Sequence, residues 1–125
     1  MKPPVETVRI SQRGKEILIK LKRNTSIEHW NVLCRWALCA SLHRDSKPPK
    51  LKGVIESNVE MSWRTFAGPH ADIYTALVRY NAELHGVDVK QEGALSDYFR
   101  AHLERGISNI QNVKNLSALL LDRGY

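Results

Sequence analysis

The residues with the clearest chemical purpose in this chain are basic. Arg9, Arg13, Lys15, Lys20, Lys22 and Arg23 are threaded through a regular apolar pattern in TVRISQRGKEILIKLKRNTSIE, and Lys47, Lys50 and Lys52 punctuate a second stretch, SKPPKLKG. Ammonium and guanidinium groups at this density suit phosphates, because each phosphate neutralised releases condensed counterions and adds affinity. The distribution sharpens the reading. Residues 1–53 hold twelve Lys and Arg against four Asp and Glu, a balance of +8, while residues 54–125 hold seven against nine, or −2. A merely solvated surface needs no such segregation, whereas a surface that captures a polyanion does. Nucleic acid is the expected partner class. No membrane is expected, since an anionic bilayer would select one helix with a basic face opposite exposed aromatic and aliphatic side chains.

Other chemistry is sparse. There is no phosphate-cradling glycine loop with lysine, no GxGxxG, no HExxH and no cysteine pair at metal spacing, so no cofactor, metal or catalytic residue is expected. His29, His43, His70, His85 and His102 are scattered along the chain. The best fragment for strand cleavage is VDVKQE, where Asp88 and Lys90 have the Asp-x-Lys spacing of metal-dependent nucleases and Asp72 or Glu92 would add a carboxylate for magnesium. Such ligands need rigid support, and a loop after Gly86 offers no sheet to brace them. A polar interhelical turn is the simpler reading. Cys34 and Cys39, five apart in an apolar segment, read as reduced, buried thiols.

The elements that would position the basic residues follow from periodicity. VETVRI alternates as a strand, Val8 and Ile10 on one side, Thr7 and Arg9 on the other. Ser11 fits the N-cap of a helix to about Arg23, with Ile17, Leu18 and Leu21 as its apolar stripe. Arg13, Lys20 and Arg23 then share one flank, Lys15 and Lys22 the adjoining one, and Glu16 is spaced to pair with Lys20. Thr25 and Glu28 have capping-box spacing, which starts a second helix at about Ser26. That helix is apolar nearly all round, with only Asn31 and Arg35 as a polar side, so a partner chain is expected to cover it and Trp30 and Trp36 to serve the shared core.

Beyond the proline-broken loop, Val59, Met61 and Trp63 alternate with Glu60, Ser62 and Arg64 as a short strand or extended segment. Three helices are expected to follow. Ile73, Leu77, Tyr80 and Leu84 form the stripe of one, closed by Gly86; Leu95, Phe99 and Leu103 that of the next, closed by Gly106. Ser108 and Gln111 have capping-box spacing before Ile110, Val113, Leu116 and Leu120. At 125 residues the chain suits one domain, and with no long apolar run or signal-like N-terminus it is expected in the cytoplasm.

Strand, helix, short turn and buried helix in this order resemble a ribbon-helix-helix module, in which two chains pair their strands. The resemblance implies Thr7 and Arg9 as groove-facing residues and Thr25 and Ser26 as phosphate clamps at the start of the second helix. Val5, the third outward position, offers only an apolar contact, so base readout would be thin. Over its full length the chain is similar to the DndE family, the small component of bacterial DNA phosphorothioation (DNA sulfur modification). The words that carry this are SIEHWNVLCRWALCASL, KPPKLKG and VEMSWRTFAG, together with the basic N-terminal strand and helix. What the resemblance implies is one mainly α-helical DndE-like domain over 1–125, with a ribbon-helix-helix-like part and linker at 1–53 and a helical part at 54–125. It further implies a homotetramer that binds nicked double-stranded DNA through a lysine-rich surface, beside other DNA sulfur-modification proteins that carry out the sulfur chemistry. The alternatives are a ribbon-helix-helix transcriptional regulator and a metal-dependent nickase.

Overall fold

Val8 and Ile10 are buried and Thr7 and Arg9 exposed, as the alternation requires, in a strand β1 (Thr7–Ser11). In the computed structural model, which describes residues 1–121, β1 pairs antiparallel with β2 (Glu56–Ser62) of the same chain. Thr7 faces Ser62, Val8 faces Met61 and Arg9 faces Glu60; the register shifts between Arg9 and Ser11, where Ser57 Oγ donates to the Ile10 carbonyl. The ribbon is therefore made within one chain. This departs from the ribbon-helix-helix plan, because the strand partner lies some fifty residues downstream and is not supplied by a second copy.

Ser11 caps α1 (Gln12–Thr25) as expected, its Oγ accepting the Gly14 N–H at 2.9 Å. Ile17, Leu18 and Leu21 are buried, and the helix runs two residues beyond Arg23. The capping box is not formed. Thr25 ends α1, its hydroxyl donating to the Leu21 carbonyl and accepting the Ile27 N–H, while Ser26 is the left-handed C-cap at φ 63°. A serine in that conformation satisfies the end of one helix and delays the next, so α2 (Trp30–His43) starts four residues later than the spacing suggests.

The apolar girth of α2 is covered mainly from within. Its most extensive neighbour is α5 (Ala94–Asn109), and Leu33, Cys34, Ala37, Leu38 and Ser41 are buried. The crossing is close enough that a Cβ on Gly106 would lie 1.8 Å from the Ala37 carbonyl oxygen. Gly106 thus sits inside α5 and permits the contact; it does not close the helix. Asn31 and Arg35, the anticipated polar side, donate to the Thr65 and Phe66 carbonyls and so satisfy the end of α3 (Trp63–Ala67). Cys34 is buried, but Cys39 is exposed, contrary to the expectation for both thiols.

Strand β2 gives way to α3 at Trp63 because Ser62 Oγ accepts the Thr65 N–H. Trp63, Phe66 and Phe99 cluster with ring centroids 5.2 to 5.5 Å apart. A 3-10 turn over Gly68–His70 leads into α4 (Ala71–Leu84), whose buried residues are Thr75, Val78 and Ala82. The stripe anticipated as its core face, Ile73, Leu77, Tyr80 and Leu84, points outward. In α6 (Leu116–Leu121), Asn115 Oδ1 accepts the Ala118 N–H, whereas Ser108 lies inside α5; Ile110, Val113 and Leu119 are buried, and Leu116 and Leu120 are exposed.

Candidate nucleic-acid interface

With Ile17, Leu18 and Leu21 directed inward, the basic residues of α1 occupy the arc that remains. Lys20 and Arg23 project to solvent, and neither has a hydrogen-bond or ion-pair partner among the described residues. Lys15 and Lys22 lie half-buried on one flank: Lys15 donates to Asn58 Oδ1 at 2.6 Å, and the Lys22 ammonium stands 4.9 Å from the centre of the Trp30 ring. On the other flank Arg13 donates to Ser108 Oγ. The expected Glu16–Lys20 pair is absent among the described residues, Glu16 accepting from Gln12 instead. With the apolar stripe buried, Ile19 is the one large apolar side chain that this helix leaves exposed, too little to enter a lipid surface.

Folding joins the two basic stretches at one place. Arg13 and Lys52 line a common groove of about 860 Å³ between the start of α1, the 49–55 loop and α5, and Arg105 of α5 lines it too. Sequence reasoning missed Arg105, which belongs to the acidic half and carries no local signal. The N-terminus of α1 at this groove is already satisfied by a carboxylate: Glu104 accepts from both the amide and the hydroxyl of Ser11. Lys47 and Lys50 line a different groove, of about 590 Å³, with Asp88, Glu92, Asp97 and Arg100. All three loop lysines are exposed and lack partners among the described residues.

The remaining sequence-derived candidates fall elsewhere. Arg9 is exposed on the ribbon, but its guanidinium is paired with Glu60 on the facing strand. Thr25 is buried at the C-terminal end of α1 with its hydroxyl doubly engaged, so it cannot clamp a phosphate. Ser26 is exposed, but as the left-handed cap of the same helix end its N–H is bound to the Lys22 carbonyl. Carbonyls gather at such an end and repel anions, which removes the physical basis of the expected clamp.

Two constellations with catalytic residue types need placing. In the turn after α4, Asp88 Oδ1 accepts the Lys90 N–H, the usual self-contained turn of a loop aspartate, and among the described residues no three His, Cys, Asp or Glu lie close enough to share a metal ion. The second is one the sequence did not reveal. Arg105 Nε donates to Ser41 Oγ at 2.8 Å, Ser41 donates to His102 Nδ1 at 2.8 Å, and His102 Nε2 donates to Asn81 Oδ1 at 2.9 Å, which also accepts the Tyr98 hydroxyl. Serine, histidine and a carbonyl acceptor are the parts of a nucleophilic relay. Here Ser41 and His102 are fully buried, and burial, reinforced by Arg105 and His85, pushes the imidazole down to about 3. With no access for a substrate, the relay is a hydrogen-bonded pin joining α2, α4 and α5. Burial likewise pushes the Cys34 thiol up to about 12, which makes it inert.

A family model described as "DNA sulphur modification protein DndE" matches residues 7–118. The chain belongs to the DndE family. Membership assigns it to DNA phosphorothioation as a component of the sulfur-modification system. Among solved structures, a crystal structure of a DndE mutant involved in DNA phosphorothioation is similar with a TM-score of 0.65 and 18% identity, covering 86% of this chain and 98% of that one. At that identity the likeness supports the DndE fold. Comparison with curated proteins gives no match. Among the described residues no helix is long and apolar enough to cross a membrane.

Proposed function

We propose that this DndE-family chain is a non-enzymatic holder of double-stranded DNA, preferentially nicked, within DNA sulfur modification. It acts as one domain over 1–125 that assembles into a homotetramer and presents the DNA to other proteins of the system. The observation that carries the reading is the outer arc of α1: Lys20 and Arg23 stand in solvent without partners among the described residues, flanked by Arg13, Lys15 and Lys22. Lys52 extends this arc across the shared groove, and Lys47 and Lys50 extend it along the loop. These are phosphate-seeking groups, and they read no base. Arg9, the one basic residue placed for groove contact, is engaged by Glu60, which weighs against an operator-reading repressor.

Preference for a nick follows from mechanics. A nick lets a duplex bend at one point, so a protein gripping phosphates on both sides gains contacts at a lower deformation cost. Repeating the basic half in a tetramer would supply the two grips. The test is equilibrium binding to matched duplexes, intact and singly nicked, across a salt series. The nicked duplex is expected to bind more tightly, with a steep slope of log affinity against log salt. Replacing Lys15, Lys20 and Lys22 with alanine should reduce that slope by about 3 and weaken binding to every sequence alike, with the fold preserved. Undiminished binding by the triple variant would sink the proposal.

A further inference from the structure

We propose that the outward stripe of α4, Ile73, Leu77, Tyr80 and Leu84, is the face on which a second copy of this chain packs. The inference rests on the self-association part of the reading above and assigns it a place. These four side chains are 58, 44, 66 and 64% exposed, on a helix whose inward residues are small. Their spacing of four, three and four residues is that of a coiled-coil seam, which fits best against a helix with the same pattern, and every other copy supplies one. Apolar patches on ordinary monomers reach about 300–600 Å² and are often functional, and a stable interface of about 1,000 Å² requires the whole stripe from both copies.

Charge selects the occupant. Copies of a chain with net charge +6 repel one another least where their −2 halves meet, and α4 lies in that half, while the +8 half stays outward. Charge also selects the geometry. Asp72 and Glu83 are three turns apart on one flank of the stripe, so a fully antiparallel pair would set each against the other's like charge. Two copies packed at the shallow crossing of about 20° that such a seam favours, and slid by about one turn, keep the apolar stripe in contact and move the acidic ends out of register.

Sedimentation of the full chain over a concentration series tests this, with circular dichroism to confirm folding. The wild-type chain is expected well above its 14.3 kDa monomer mass. The Leu77→Asp/Tyr80→Asp variant is expected to self-associate at least tenfold more weakly at unchanged helicity, since both positions are exposed. Asp72→Asn/Glu83→Gln is expected to associate severalfold more tightly. Undiminished assembly of Leu77→Asp/Tyr80→Asp would overturn the placement on α4 and leave self-association standing. A wild-type chain that stays at monomer mass throughout would overturn both.

Discussion

Helices α1 and α4 are each fourteen residues long and amphipathic, yet they show water opposite chemistry. In α1 the apolar stripe is buried and lysine and arginine dominate the outer arc, with Ile19 exposed among them. In α4 the large apolar stripe is outside, and the face turned inward carries Thr75, Val78 and Ala82, with Asn81 and His85 beside them. The difference teaches what periodicity can establish. It groups residues on one side of a helix, but which side faces the core depends on what the neighbouring element offers. Leu33, Leu38 and their neighbours in α2 offer a greasy surface; α5 offers α4 the Tyr98 hydroxyl and the His102 imidazole, which need polar partners once buried. Small residues let α4 approach closely enough for Asn81 to supply them.

The strongest way to break this comparison is to truncate a leucine on each helix. Leu18 of α1 is fully buried, and Leu18→Ala should cost about 2–5 kcal/mol in unfolding free energy through lost transfer energy and the cavity left behind. Leu77→Ala should cost the folded monomer no more than about 0.5 kcal/mol, the usual range for surface positions. Urea denaturation at low protein concentration, where assembly contributes little, separates the two. Equal losses would mean that the α4 stripe is core after all.

A second test sharpens the contrast through pH. The folded imidazole of His102 titrates at about 3 against an ordinary 6.5, held down by burial first and then by Arg105 and His85. Above pH 6.5 both folded and unfolded chains hold it neutral, and the stability is fully present. As pH falls below 6.5 the unfolded chain takes up a proton that the folded one refuses, so stability declines toward pH 3. At about 1.4 kcal/mol per pH unit, the loss between pH 6.5 and 4.5 is at most about 3 kcal/mol. Because His102 is bonded to Asn81, amide exchange in α4 should accelerate in this range before exchange in α1 does. His102→Gln should flatten the slope between pH 4.5 and 6.5 even if it lowers stability throughout.

Legibility in the sequence divides along the same line. The strand at Val8 and Ile10, the Ser11 cap and the α1 stripe could be read because each depends on residues close in sequence. The pairing of β1 with β2 could not: Arg9 and Glu60 are fifty-one residues apart, and alternation states that a strand exists without naming its partner. Thr25 and Glu28 have the spacing of a cap, but Ser26 turns left-handed and spends Thr25 on the helix before it. Of the site, the basic residues of α1 were visible as a face. The convergence of Arg13 with Lys52 and Arg105, and the engagement of Arg9, required the fold. The relay through Ser41, Asn81 and His102 left no sequence signal, because its members come from three helices and each is an unremarkable residue in its own.

The smallest effect concerns Arg9, which Glu60 of the ribbon neutralises. Arg9 and Glu60 are both more than half exposed, so their ion pair contributes no more than about 1 kcal/mol to stability, and Glu60→Gln should change the unfolding free energy by less than that. Its consequence for DNA is of opposite sign. Removing the carboxylate frees the Arg9 guanidinium and deletes a negative charge beside the basic arc, where Lys15 already reaches β2 through Asn58. Binding to intact and nicked duplexes should tighten by a small common factor, and the salt slope should steepen by about 1. If Arg9 instead read a base in the freed state, the gain would depend on sequence, and the ribbon would have to be reckoned a reading element held in check by Glu60. A set of duplexes with shuffled sequence decides between the two, since a phosphate contact tightens every member equally.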